Sequence, residues 1–257
     1  SIIWLDQRAS KQEEYMKKVL NPYFILKTCG LAIRQIFSAA KMLWLKENKP
    51  EVFNQTKVFL FAKDYIIYRL TGEAATDYSM ASRTMLFDIN KLSWSEEICE
   101  ILGIPLEKLP RLVGSWEVVG EVTGEAARET GLKKGTPVVS GGGDRPCEAL
   151  GAGVIHPGYV NIGTGTATAI TTPLENPKPD KEFRASCCCH VVPKRWEYEL
   201  GLLTTGAALK WFVENFMEKE LGEVGAKGFS PFAYLDELAS KVKPGCNGLL
   251  FYPHLAG

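Results

Sequence analysis

The sequence has no excess of either charge: 30 lysines and arginines stand against 30 aspartates and glutamates in 257 residues. A balanced chain offers no broad field to draw it to nucleic acid or to an anionic membrane, so neither is expected as a partner. No apolar run approaches the roughly 20 residues that cross a bilayer. Ser1-Ile2-Ile3-Trp4-Leu5-Asp6 lacks the charged-then-apolar layout of a secretory signal, and cytoplasmic residence is the expectation. No C-x-x-C or H-x-x-H pair is present to build a metal site. Cys187, Cys188 and Cys189 are adjacent, with His190 next. Thiolates and imidazole do bind zinc, but neighbours on a strand point to opposite faces and cannot converge on one ion. These cysteines are expected to be reduced, buried and packed as small hydrophobes, with no metal held.

Two nucleotide-binding signatures are also missing. Gly163-Thr164-Gly165-Thr166 lacks the lysine and spacing of a Walker A loop. It also fails G-x-G-x-x-G, because Thr168 stands where the third glycine belongs.

What is present is an ordinary globular composition, 46% apolar, with length for one large domain or two smaller ones. Helical spacing predicts helices over 9–20, 38–48 with Ser38 as cap, 62–70, 94–102, 125–130 and 205–216. Strands are expected at 2–4, 118–122, 184–192, 196–203 and 249–252, with a buried run at 58–61 and a hairpin over 158–170. The alternation argues for an α/β architecture, with a change of pattern near residue 151.

Val138-Val139-Ser140-Gly141-Gly142-Gly143-Asp144 is an apolar run that ends in three glycines and a carboxylate. Asp144 as a plain helix cap is one reading. Three glycines cost backbone entropy that a cap does not require, and they suit close approach of another molecule. Asp144 is then the candidate general base, taking the proton of a hydroxyl that attacks a γ-phosphate. Arg145 and the helix dipole are expected to favour its ionised form. Gly163-Thr164-Gly165 reads either as a tight hairpin turn or as a phosphate-holding turn of amides and hydroxyls. Thr205-Gly206-Ala207-Ala208 opens a helix with small residues, suited to close packing or to a flat ligand.

Together these segments resemble the FGGY family of carbohydrate kinases. Ile3-Trp4-Leu5-Asp6-Gln7-Arg8 is similar to that family's W-x-D-x-R segment. The stretch from Phe37 to Asn48 resembles its first signature. Asp64-Tyr65-Ile66 through Thr71-Gly72, then Thr76-Asp77-Tyr78 through Phe87-Asp88, form a long further match. Gly141-Gly142-Gly143-Asp144 resembles the catalytic-base motif, Gly163-Thr164-Gly165 the phosphate hairpin, and 249–257 the approach to a G-E-R-x-P loop.

The resemblance implies an actin-like (ribonuclease H-like) α/β ATPase fold in two domains, here 1–150 and 151–257. It implies ATP and Mg²⁺ as cofactors, and a small-molecule sugar as the acceptor. Asp144 is implied as the base, Trp4, Asp6 and Arg145 as sugar contacts, and Gly163, Thr164, Gly165, Gly206 and Lys210 as ATP contacts. No D-x-G-T phosphate loop, whose aspartate organises Mg²⁺ in the family, occurs in the sequence. The chain is therefore expected to hold most of the first domain and the start of the second, and to be inactive alone. A homodimer or a complementing fragment are the open choices of protein partner. Trp4-Leu5-Asp6-Gln7-Arg8 looks most like the xylulokinase version of its segment, so a ketopentose such as xylulose is the first expectation. Ile36, where glycerol kinases often have tyrosine, counts against glycerol. A kinase for another polyol or sugar acid (glycerol, gluconate, ribulose) remains open, as does a non-catalytic sugar- or partner-binding module.

Overall fold

The computed structural model describes residues 2–3, 6–217, 230–252 and 255. They divide into two compact units, Ser1–Asn161 with Thr171–Leu200, and Ile162–Ile170 with Gly201–Gly257.

The first unit opens with helices α1 (Ser10–Val19), α2 (Pro22–Cys29), α3 (Ser38–Asn48) and α4 (Pro50–Gln55). Asn21 caps α2 by accepting from the N–H groups of Tyr23 and Phe24, and Pro22 fills the first helical position, where no N–H is needed. Ser38 proves to be the first helical residue rather than the cap. Phe37 holds the cap position with no side-chain bond. These helices bury Met16, Leu20, Ile25 and Leu43 in one core with Met85, Leu86 and Ile98.

Helix α5 (Ala62–Thr71) ends on Gly72 at φ +84°, a left-handed cap that glycine adopts without strain. Strand β1 (Ala75–Asp77) leads into the single turn α6 (Tyr78–Ala81) and then β2 (Phe87–Asp88). Trp94, expected in a helix, lies instead in β3 (Ser93–Trp94). Ser95 follows and caps α7 (Glu96–Leu102). β4 (Arg111–Val113) pairs parallel with β1. β5 (Val118–Glu121) and β6 (Pro137–Val139) pair antiparallel around α8 (Gly124–Thr130). Helix α9 (Asp144–Gly151) follows the triple glycine.

Strands β7 (Asn161–Thr164) and β8 (Thr168–Leu174) form the expected hairpin. With β9 (Ser186–Cys189) and β10 (Trp196–Leu202) they make a four-stranded sheet of order β7-β8-β10-β9. Alternation along β9 disposes of the cysteine triplet. Cys188 packs into the helical core, whereas Cys187 and Cys189 join a second cluster with Phe87 and Ile89. All three are buried and unbridged. Gly30 makes this packing close: a Cβ there would lie 1.9 Å from the Cys187 carbonyl oxygen.

In the second unit, α10 (Gly206–Phe216) and α11 (Pro231–Ser240) are the described α-helices, followed by a 3-10 turn at Cys246–Gly248. Residues 2–3, 58–61 and 249–252, expected as strands or buried runs, lie outside regular structure, and Leu249 to Tyr252 are exposed. The remainder of the 249–257 match, Pro253, His254, Ala256 and Gly257, lies outside the described residues, as does Trp4.

Candidate active site

Asp144 is presented by a turn whose every residue is tied down. The Ser140 N–H donates to the Glu117 carbonyl (2.9 Å) and the Gly141 N–H to the Ser115 carbonyl (3.0 Å). Gly141 then turns through φ +65°. Gly142 leaves no room for a side chain, since its Cβ would fall 2.2 Å from Val191 Cγ1 and 3.1 Å from Ser79 Oγ. The Gly143 N–H donates to Ser79 Oγ at 2.9 Å. So Gly142 is glycine because of the protein's own packing, not because a ligand approaches it. Only Gly141 faces open space.

Gly143, not Asp144, holds the cap position of α9. Asp144 is its first helical residue and is exposed. One of its oxygens accepts from the Arg145 N–H at 2.9 Å. The Arg145 guanidinium meets Glu148 at 3.4 Å.

The turn rests on a buried ionic core. Asp77 is fully buried, and its Oδ2 accepts three hydrogen bonds: from Ser79 N–H (2.9 Å), Ser79 Oγ (2.5 Å) and Ser115 Oγ (2.7 Å). Lys63 Nζ stands 3.0 Å from its Oδ1 and 2.8 Å from Asp64 Oδ1, and donates to the Ser140 carbonyl at 3.3 Å. Asp64 also accepts from the Phe61 N–H (3.1 Å), closing the start of α5. Burial pushes its carboxyl up, against the pull of Lys63. Because the single Ser79 hydroxyl proton goes to Asp77, its lone pairs are left to receive Gly143. Charge-assisted bonds of this kind are the strong ones, so the carboxylate of Asp144 is held on a rigid support. Lys63 and Ser115 hold this turn but stand in no motif that the sequence offers, and Ser79 lies in one only as part of the 76–88 match. Asp64 and Asp77 likewise stand out only as parts of a match. The readable signal was Asp77-Tyr78-Ser79, an aspartate two residues before an N–H it can cap.

Asp6 accepts from the Arg8 N–H (2.9 Å) and Nε (2.8 Å), which lowers its carboxyl to about 2. Arg8 in turn lies over the Trp44 ring at 4.8 Å. Lys41, from the first signature, donates to the Asp6 carbonyl at 2.6 Å.

In the second unit the hairpin turn and the start of α10 lock together. The Gly206 N–H donates to the Gly165 carbonyl (3.0 Å), while Thr205 and Ala207 donate to the Thr166 carbonyl (3.0 and 3.2 Å). The Thr168 and Thr205 hydroxyls meet at 2.8 Å. A Cβ on Gly206 would press to 2.3 Å from the Gly165 oxygen. Thus Gly163, Thr164, Gly165 and Gly206 are neighbours, and the first N–H groups of α10 are already used by the turn. The side chain of Thr164 is exposed, and Lys210 stands one turn along α10, exposed, with Glu214 at 3.6 Å. Among the described residues no three His, Cys, Asp or Glu side chains converge as a metal site. No described helix is long and apolar enough to cross a membrane.

Residues 1–151 match the N-terminal domain of the FGGY family of carbohydrate kinases. Over its full length the chain is 33% identical to a xylulose kinase of Bacillus subtilis, covering 49% of that protein, and 31% identical to a gluconokinase of the same organism, covering 50%. The crystal structure of a xylulose kinase from Rhodospirillum rubrum matches 98% of the chain with a TM-score of 0.88 at 28% identity, over 50% of its own length. The chain spans about half the length of the relatives it matches. With that match running from the first residue through the Asp144 turn, the chain belongs to the FGGY family of carbohydrate kinases and has their actin-like α/β fold.

Proposed function

We propose that this chain carries the acceptor-activating part of an ATP-dependent sugar kinase. The observation that carries the reading is Asp144: an exposed carboxylate at the first position of α9, on a turn fixed by Ser79, Ser115 and the Lys63–Asp77 pair. A base must be held in place to accept a proton as the sugar oxygen attacks phosphorus, and positioning is most of what phosphoryl transfer asks of a protein. In this reading Asp144 takes the hydroxyl proton, Asp6 and Arg145 help to bind the sugar, and Thr164 contacts the ATP phosphates. Residues 1–150 then belong to the sugar-binding domain and 151–257 open the nucleotide-binding one. The exposed Thr164 hydroxyl suits a phosphate oxygen. No cluster among the described residues fits Mg²⁺.

A ketopentose such as xylulose is the proposed acceptor. Likeness to xylulose kinases supports it, and the comparable likeness to gluconokinases makes gluconate the second reading. Ile36, which offers no hydroxyl, speaks against glycerol. The test is an ATP-coupled assay of the protein encoded by the reading frame that contains this chain, against xylulose, ribulose, gluconate and glycerol. The expected result is the highest kcat/KM on xylulose. A preference for gluconate would replace the acceptor, and no phosphorylation of any of the four would remove the kinase reading.

A further inference from the structure

The turn that carries Asp6 has no strand or helix of its own to hold it: residues 6–8 lie outside both. The Asp6 N–H donates to the Ile3 carbonyl at 3.2 Å, and the side chain then folds forward over Arg8. Oδ1 accepts the Arg8 N–H at 2.9 Å and Nε at 2.8 Å, while Oδ2 accepts Nε at 2.9 Å and meets Nη2 at 2.7 Å. Such an Asx turn fixes the residue against its own neighbours but not against the rest of the fold.

Among the described residues, the polar contacts that reach Asp6 and Arg8 from elsewhere in the chain come from α3. Lys41 is buried, and its Nζ donates to the Asp6 carbonyl at 2.6 Å. The Trp44 ring lies 4.8 Å from the Arg8 guanidinium carbon. Three residues apart, Lys41 and Trp44 share one face of the helix. The helix is itself a firm base, with Ala39, Ala40, Met42 and Leu43 in the main core. Lys41 is a costly residue for this place, because burial disfavours an ammonium and lowers it from its ordinary value. The Asp6 carboxylate is committed to Arg8, so Lys41 bonds the neutral carbonyl instead. An apolar side chain would pack there at less cost, and a charged donor is explained if the Asp6 main chain has to be held.

We propose that Lys41 and Trp44 are positioning residues for sugar binding: the ammonium fixes the Asp6 main chain, and the indole seats the guanidinium that aims the Asp6 carboxylate. The proposal rests on the reading of Asp6 as a sugar contact. The Arg8 donors take most of the acceptor sites of that carboxylate and leave about one lone pair, on a side chain still 20% exposed. A single remaining lone pair has a direction, so a tilt of the turn changes which sugar hydroxyl it meets. Loss of the α3 contacts should therefore weaken the hold on the sugar and leave ATP untouched.

The test is a double-mutant cycle in the protein encoded by the reading frame that contains this chain, on whichever of xylulose, ribulose, gluconate and glycerol it phosphorylates best. The variants are Lys41→Met, Trp44→Leu, Asp6→Asn, and each of the first two combined with Asp6→Asn. Lys41→Met keeps an unbranched side chain and removes the donor. The KM for the sugar should rise about tenfold or more in Lys41→Met and about two- to fivefold in Trp44→Leu. The KM for ATP should stay within about twofold of wild type. In the Asp6→Asn background both changes should add little, because the group they position is already gone. A costly Asp6→Asn beside a silent Lys41→Met would overturn the inference and leave the sugar contact standing. Equal losses toward sugar and ATP, or a Lys41→Met loss undiminished in Asp6→Asn, would also overturn it. An Asp6→Asn protein with the wild-type KM for its sugar would remove the contact reading, and the inference with it. If Lys41→Met does not fold, the Trp44→Leu arm decides.

Discussion

Gly142 has no side chain because Val191 and Ser79 fill the space where one would be. That single contact ties the position of Asp144 to the β9–β10 pair, and it sets a residue-scale expectation. Gly142→Ala should cost about 1–3 kcal/mol by overpacking, and Val191→Ala should recover part of that loss in the double variant. Urea denaturation of the four proteins measures it, and purely additive effects would mean that the two positions do not touch. Asp77→Asn leaves Lys63 facing a neutral group and weakens the Ser79 and Ser115 bonds. Breaking a buried pair from one side costs about 3 kcal/mol or more, to be read from the same denaturation curves.

Glu197 and His190 predict how stability follows pH. The folded Glu197 carboxyl sits near 8 against an ordinary 4.5, so its contribution is complete below about pH 4.5 and is lost as pH rises toward 8. His190 falls from 6.5 to about 4, so its contribution is complete above 6.5 and is lost as pH falls toward 4. Glu197→Gln copies the protonated form. Its Tm should gain on the wild type steadily from pH 5 to 8 in calorimetric scans. Parallel curves for the two proteins would contradict the assignment.

At the scale of elements, the sequence was most readable where one residue type decides the geometry. Left-handed glycine ends at Gly72, Gly103 and Gly131 and the apolar stripes of α3 and α10 gave helices whose limits agree within a few residues. The small apolar character of free cysteine gave the burial of the triplet, and strand alternation its division between two clusters. Reading failed where a cap or an edge depends on a distant partner. Ser38 resembles a cap but enters the helix, and the N–H of Ala39 just after it is taken by the distant Thr84 carbonyl rather than by a capping side chain. Trp94 is drawn into a strand by pairing with Phe87, which helical spacing cannot foresee. The buried thiols give an element-scale prediction. Burial pushes Cys29, Cys99, Cys187, Cys188 and Cys189 up and closes them to reagents, whereas Cys147 and Cys246 are exposed. An aromatic disulfide reagent should titrate two thiols in the native protein and all seven after denaturation. Fast reaction of more than two would contradict the burial of these five thiols.

At the scale of the whole molecule, the family and its α/β fold were legible because the matching segments occur in order along the chain. The site was legible only in part. Asp144 stands out in the sequence because it ends a glycine run. Its support does not, because Lys63, Asp77, Ser79 and Ser115 come from α5, β1, α6 and the segment before β5 and meet only in the fold. The account as a whole turns on whether that supported carboxylate is the base. The most direct measurement is turnover by the protein encoded by the reading frame that contains this chain, as wild type and as Asp144→Asn, with sugar and ATP binding measured alongside. The account predicts a fall in kcat of about 10²–10⁴-fold with both substrates still bound. Turnover within a few fold of wild type would contradict it.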